Sequence, residues 1–256
     1  MYNDNIIHIA ADAGKIMLEN GGETYRVEQT ITMICKAYTV KNVDNFVTPN
    51  FLLLSITNEN GNAITTVRRL ATKTVNLEKV ALVNNLSRNI YSKSLTLKDI
   101  RNELTAIDKL PKYGPKLTTF ISALSAGFFA LLFGGSLKDF PISFFIGMLI
   151  SLISILFDKY EVNGFFTNVF GGLLASFIAV TINYMIPIFN VDKVIIGAIM
   201  LLVPGMLITN AIRDTLSGHI FSGMFRSLEA FLIAAGIAIG TALGFKLAFM
   251  FLGGAI

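Results

Sequence analysis

Residues 227–252, SLEAFLIAAGIAIGTALGFKLAFMFL, run for 26 positions with two charged side chains, Glu229 and Lys246. A hydrocarbon core of about 30 Å needs roughly 20 apolar residues as a helix, so this stretch is long enough to cross a bilayer. Four stretches upstream read the same way: 117–135, 142–157, 164–186 and 192–209, the last containing the pair Pro204-Gly205. The expected fold is an α-helical integral membrane protein with about five transmembrane helices over 117–256, preceded by a soluble domain.

Composition supports that division. Apolar residues make up 53% of the 256 and charged residues 15%, well below the roughly 25% charged of a soluble globular chain. Residues 1–116 hold 15 of the 21 Lys+Arg and 11 of the 17 Asp+Glu. That half therefore carries the whole net charge of +4, and the second half is neutral. A disordered chain is excluded by the hydrophobicity. A disulfide framework is excluded because Cys35 is the sole cysteine. One Cys and two His, at positions 35, 8 and 219, do not make a zinc site. The basic excess forms no run or aromatic-interleaved patch of the nucleic-acid type; it leads instead into the first span through Lys109, Lys112 and Lys116. By the positive-inside rule, residues before that span face the cytoplasm, and an odd number of spans puts Ile256 outside.

The first half reads as an α+β domain over 1–110. Ile6, Ile9, Ala10, Ala13, Ile16 and Met17 recur at helical spacing and stop at Gly21-Gly22. A second helix is expected over 24–38, with Val27, Ile31, Ile34 and Cys35 on its apolar stripe. Residues 51–57 and 63–69 are β-rich, and Asn60-Gly61 between them marks a hairpin. Helices over 76–93 and 97–109 then lead to a linker at 111–116 containing Pro111 and Gly114-Pro115.

Phosphate-loop, zincin and nucleophile-elbow motifs are absent, so neither a cofactor nor a metal is expected. The membrane half carries two signals. Gly236, Gly240 and Gly244 fall at i, i+4 and i+8, as do Ser122, Ala126 and Ala130, and Gly171, Ala175 and Ala179. Such stripes let helices approach closely; the glycine stripe is a candidate contact with a partner, or serves packing within the chain. The second signal is 204–219, PGMLITNAIRDTLSGH. On a helix Asn210, Arg213, Asp214 and Ser217 share one face, and a helix broken at Pro204 and Gly205 frees backbone groups to bind an ion or a carboxylate. Two readings stay open. Either this face holds substrate, or the segment is a loop anchored by Arg213 and Arg226. In the first half, Glu23, Arg26 and Glu28 follow the double glycine, as a functional cluster of unknown role or as caps and surface pairs.

Three motifs carry a resemblance: GGETYRVE at 21–28, NLEKV at 76–80 with NLSR at 85–88, and TNAIRDTLSG at 209–218. Together the chain resembles the threonine/serine exporter family. The resemblance implies a non-enzymatic secondary transporter in the plasma membrane of a prokaryote, exporting small carboxylate-bearing metabolites: threonine and serine, or dicarboxylates such as succinate. Family members with both halves in one chain have about ten spans. Five spans imply the split form, completed by a second small five-span membrane protein or by another copy. A membrane-anchored hydrolase, or a sensor or scaffold built on the first half, are the alternatives.

Overall fold

A computed structural model describes residues 2–40, 42–57, 61–70, 74–111 and 113–252. Asn60 of the expected hairpin, Lys112 of the linker and the terminal Ile256 lie outside these residues. The chain divides into two compact units. The first runs to Pro111 and also takes Met206–Ser227; the second comprises Lys112–Gly205 and Leu228 onward.

In the first unit, helix α1 (Tyr2–Glu19) buries Ile6, Ile7, Ala10, Ala13 and Met17 completely. It ends where Gly21 takes φ +91°, a conformation that side-chain-bearing residues avoid. The Gly22 amide donates back to the Met17 carbonyl at 2.8 Å, and a Cβ on Gly22 would stand 2.8 Å from that same oxygen. Helix α2 (Thr24–Ala37) buries Val27, Ile31, Ile34 and Cys35, the stripe expected of it. Three strands follow, β1 (Asn42–Val47), β2 (Phe51–Thr57) and β3 (Ala63–Arg69), in an antiparallel sheet of order β1-β2-β3. Leu54 pairs with Asn45 on one side and Thr66 on the other. Leu52, Leu54 and Ile56 of β2 point into the core, as strand alternation requires. Strand β1 is absent from the sequence-based reading. Its NVDNFV has little apolar periodicity, and its conformation comes from pairing with β2. Helices α3 (Leu77–Asn89) and α4 (Leu97–Asp108) are started by side chains. Asn76 accepts from the Lys79 amide, and Thr96 with Asp99 forms a full capping box. Helix α9 (Gly205–Leu216) and the beginning of α10 (Ile220–Phe251) complete this unit.

The second unit holds α5 (Pro115–Leu132), α6 (Asp139–Lys159), α7 (Gly164–Met185), α8 (Val191–Ile199) and the remainder of α10. Helices α5, α6, α7 and α10 are long and apolar enough to cross a membrane, which makes this a mostly helical membrane protein. The stretch 192–209 is not one helix. It divides into α8, nine residues long, and α9, with residues 200–204 between them.

Small residues set the helix spacing here. Ala126 and Ala130 are fully buried in α5. A Cβ on Gly147 of α6 would lie 2.4 Å from that of Ala126, and one on Gly197 of α8 would lie 2.7 Å from the Ala126 carbonyl oxygen. The glycine stripe of α10 packs on α7: a Cβ on Gly240 would come within 1.9 Å of the Val169 carbonyl oxygen, and one on Gly244 within 2.4 Å of that of Leu173. Gly236, Gly240 and Gly244 are therefore intrachain packing positions and not a free face for a partner. Asp139 is 1% exposed; it accepts from the Ser136 amide and hydroxyl and from the Asn190 amide, fastening the loop before α6 to the start of α8.

Candidate functional site

The double glycine leaves the first amides of α2 without helical partners. Glu23, at the N-cap, has extended backbone but gives no side-chain cap. The cap comes from the other end of the chain. Asp214 of α9 accepts from the Thr24 amide at 3.0 Å through Oδ1 and from the Thr24 hydroxyl at 2.9 Å through Oδ2. A carboxylate there also meets the positive end of the helix dipole.

Asp214 is fully buried, and a buried charge needs a counter-charge. Arg226, 5% exposed, supplies it: Nε lies 3.0 Å from Asp214 Oδ2, an ion pair without an aligned hydrogen bond. Arg226 Nη2 donates to the Gly22 carbonyl at 2.9 Å. One turn before Asp214, Asn210 Nδ2 donates to the Gly21 carbonyl at 3.0 Å. The Ser222 hydroxyl donates to the Val47 carbonyl at 3.2 Å. Between α9 and α10, Gly218 turns at φ +88°, and the His219 amide returns to the Asp214 carbonyl at 2.8 Å. A Cβ on Gly223 would lie 2.0 Å from Thr215 Oγ1, so the two helices touch at that position.

Around this latch stand the remaining charges. Glu23, 8% exposed, pairs with Arg213 and with Arg26 Nε at 2.9 Å. The Arg26 guanidinium also lies 5.8 Å from the Tyr25 ring centre, within cation–π range. Burial pushes the Glu23 carboxyl up, but hydrogen bonds from Arg213, Tyr25 and Arg26 outweigh it and hold the group below its ordinary 4.5. Glu28 has the opposite fate. Burial raises it, His219 at 3.7 Å opposes the rise, and the Asp214 charge adds to it. Cys35 is fully buried and its thiol is pushed up to about 12, which leaves no reactive thiolate at neutral pH.

The sequence-predicted residues thus meet in part. Glu23, Asn210, Arg213 and Asp214 come together, Arg26 joins through Glu23, and Glu28 faces His219. Ser217 stands exposed. Arg226 corrects the loop-anchor reading: it is a buried partner of Asp214 and not a surface charge. The signal for it was an arginine set among FSGMF and SLEAFL, on the far side of the Ser217-Gly218 stop from Asp214.

The sign of the Glu23 shift gives a pH prediction. A carboxyl lowered on folding stabilises above its ordinary 4.5, and that contribution is lost as pH falls through the folded value. Glu23→Gln should cost about 1–2 kcal/mol at neutral pH, a figure discounted because Arg213 is half exposed. Thermal unfolding of the two proteins should converge below pH 4.5. A gap that persists in acid would assign the loss to packing.

The geometry can be set beside known proteins. The family model described as "Putative threonine/serine exporter" matches residues 8–248. The "Probable succinate transporter subunit YjjP" of Klebsiella aerogenes is 26% identical over 229 residues, 88% of this chain and 86% of that protein. Its Escherichia coli namesake is 24% identical over 240 residues, 92% and 91% of the two chains. The "Probable threonine/serine exporter" of Mycobacterium tuberculosis is 21% identical over 244 residues, 94% of this chain but 46% of that protein. The chain thus spans most of the first two relatives and about half of the third. No solved structure matches it. Three separated motifs, two of them joined across the Asp214–Arg226 latch, and a match over nearly the whole length agree: the chain belongs to the threonine/serine exporter family, which is a family of transporters and not of enzymes.

Proposed function

We infer that this chain is one half of a two-part secondary transporter that exports small carboxylate-bearing metabolites, either threonine and serine or a dicarboxylate such as succinate. Coverage carries the reading: the chain spans nearly all of relatives named as subunits and about half of one named as an exporter. A second small membrane protein of the same family, or another copy of this chain, supplies the missing half. Secondary transporters commonly place substrate between two repeats that rock against each other.

Connectivity supports five crossings in place of four. The chain leaves the first unit at Pro111 and rejoins it at Met206. If that unit lies on one side of the bilayer, the crossings between those points are even in number. Helices α5, α6 and α7 supply three, and residues 186–205 the fourth. Their 20 positions, ten of them helical, reach about 30 Å with ease, since extended backbone covers about 3.3 Å per residue. Helix α10 is the fifth. The lysines before α5 support a cytoplasmic first unit in a prokaryotic cell.

Within that frame Arg213 receives the substrate carboxylate. Its side chain is 55% exposed yet held by the buried Glu23, and a guanidinium fork matches a carboxylate in a way an ammonium does not. Asn210 and Asp214 fix the same helix on its buried side, through the Gly21 carbonyl and through Thr24, and Ser217, one turn on, is exposed. In proteoliposomes, export of serine or succinate should require this chain together with the second subunit. Arg213→Lys should lower flux about tenfold or more with membrane level unchanged, by loss of a paired hydrogen bond. Flux from a demonstrably monomeric preparation would overturn the two-part reading, and full activity of Arg213→Lys would overturn the assignment of Arg213.

A further inference from the structure

A cavity of about 380 Å³ opens in the second unit, at the end where α5 begins and where α6 and α8 finish. Thr118 and Ser122 of α5 line it, with Ser151, Ser154 and Asp158 of α6 opposite, and Leu201 and Leu202 of the segment after α8 closing one side. Asp158 and Thr118 are exposed at the mouth, and Ser151 is 7% exposed at the floor. Ser151 and Asp158 stand seven helical positions apart, about 10 Å of rise. The polar face is therefore two turns deep.

Of the four hydroxyls that line this cavity, only that of Thr118 has a local partner among the described residues, donating to the Gly114 carbonyl at 3.2 Å. Thr105, Ser176, Thr215 and Thr241 each donate to a carbonyl four residues back in their own helix, at 2.7–3.0 Å. That is the usual resting place of a helical hydroxyl. Ser122, Ser151 and Ser154 make no such bond among the described residues, and neither they nor the Asp158 carboxylate has another hydrogen-bond or ion-pair partner there. Asp158 also sits in the last turn of α6, where the helix dipole disfavours a negative charge. Beside it, α8 ends at Ile199, and its last carbonyls are already engaged: Ile196 accepts from the Met200 amide at 3.1 Å and Ile199 from the Leu202 amide at 2.8 Å. One carboxylate and three serine hydroxyls thus converge, and no cationic side chain among the described residues lines the cavity.

We propose that this cavity binds a monovalent cationic group, held by Asp158 with the hydroxyls of Ser122, Ser151 and Ser154. Hard cations take oxygen ligands, and a carboxylate with hydroxyls supplies them here. The same oxygens suit the ammonium of an amino acid and repel both ends of a dicarboxylate. The role of the cation, as coupling sodium ion or as the charged end of a substrate, rests on the transport reading above. Its binding does not.

The test uses the full chain in lipid nanodiscs, with Cys35→Ala and a single new thiol, Ile155→Cys, on the cavity wall. Sodium chloride at ten times its Kd, against choline chloride at equal ionic strength, should slow N-ethylmaleimide labelling about tenfold by occupancy. Asp158→Asn should abolish that protection and Ser154→Ala should weaken it. A thiol at the exposed Leu137 should label at an unchanged rate in every variant, which reports that the protein is folded. If L-serine in choline protects and sodium does not, the cation is the substrate's ammonium and the site stands. Protection by succinate, or no protection by sodium or serine with the Leu137 control normal, overturns it. Labelling needs no flux: transport without protection would sink the cavity alone, and protection without transport would sink the exporter reading alone.

Discussion

Asp214→Asn is expected to cost the first unit about 3–5 kcal/mol, the usual cost of removing one partner from a buried ion pair. The carboxylate serves two neighbours at once. It caps α2 through the Thr24 amide and hydroxyl, and it neutralises Arg226, which has 5% of its surface in water. Asparagine keeps the shape and one acceptor but strands the arginine's charge. A loss of that size is a large part of the 5–15 kcal/mol that holds an ordinary domain together. It should appear as a large drop in thermal unfolding temperature and as rapid limited proteolysis. Arg226→Met should be comparably harmful alone. The pair Asp214→Asn with Arg226→Met should recover part of the loss, since no unpaired charge is left. Arg226→Lys should also fail, because one ammonium does not reproduce a fork that reaches both Asp214 and the Gly22 carbonyl. Wild-type unfolding of Asp214→Asn would mean that the latch contributes nothing to the fold.

The second large effect is expected in α10. Gly240→Ala places a methyl within 1.9 Å of the Val169 carbonyl oxygen, a backbone atom that has no rotamer to move to. The helices must separate, at a cost of about 3 kcal/mol or more, the upper end for overpacked sites. Gly244→Ala meets Ser176 Oγ at 2.0 Å and the Leu173 carbonyl oxygen at 2.4 Å and should be as severe. Gly236→Ala finds its nearest neighbour at 3.2 Å and should be mild. This ranking, read from membrane level and from unfolding in detergent, should hold without any partner present. Gly240→Leu, with a larger side chain at the same contact, breaks the subunit itself. Harm that appears only in an assembled complex would restore the stripe to the interface.

Much of this molecule is legible in its residues. Hydrophobic run length alone marks the long helices, because a bilayer imposes one minimum length on every span. Periodicity places α1 and α2 with their buried stripes, and Pro204-Gly205 marks the break between α8 and α9, since a missing N–H is a local fact. Local rules miss β1, whose NVDNFV becomes a strand only against β2. They also miss the purpose of the two motifs. Nothing within GGETYRVE says that its first amides lack a cap, and nothing within TNAIRDTLSG says that Asp214 supplies it 190 residues later. Arg226 looks like a membrane anchor until Asp214 is beside it. The sequence by itself determined which stretches are helical, which are apolar and which carry charge, because those follow from side chains within a few residues of each other. Only the tertiary structure decided which charges are buried together, because the cost of burying one charge is met by a partner that the chain brings in from far away.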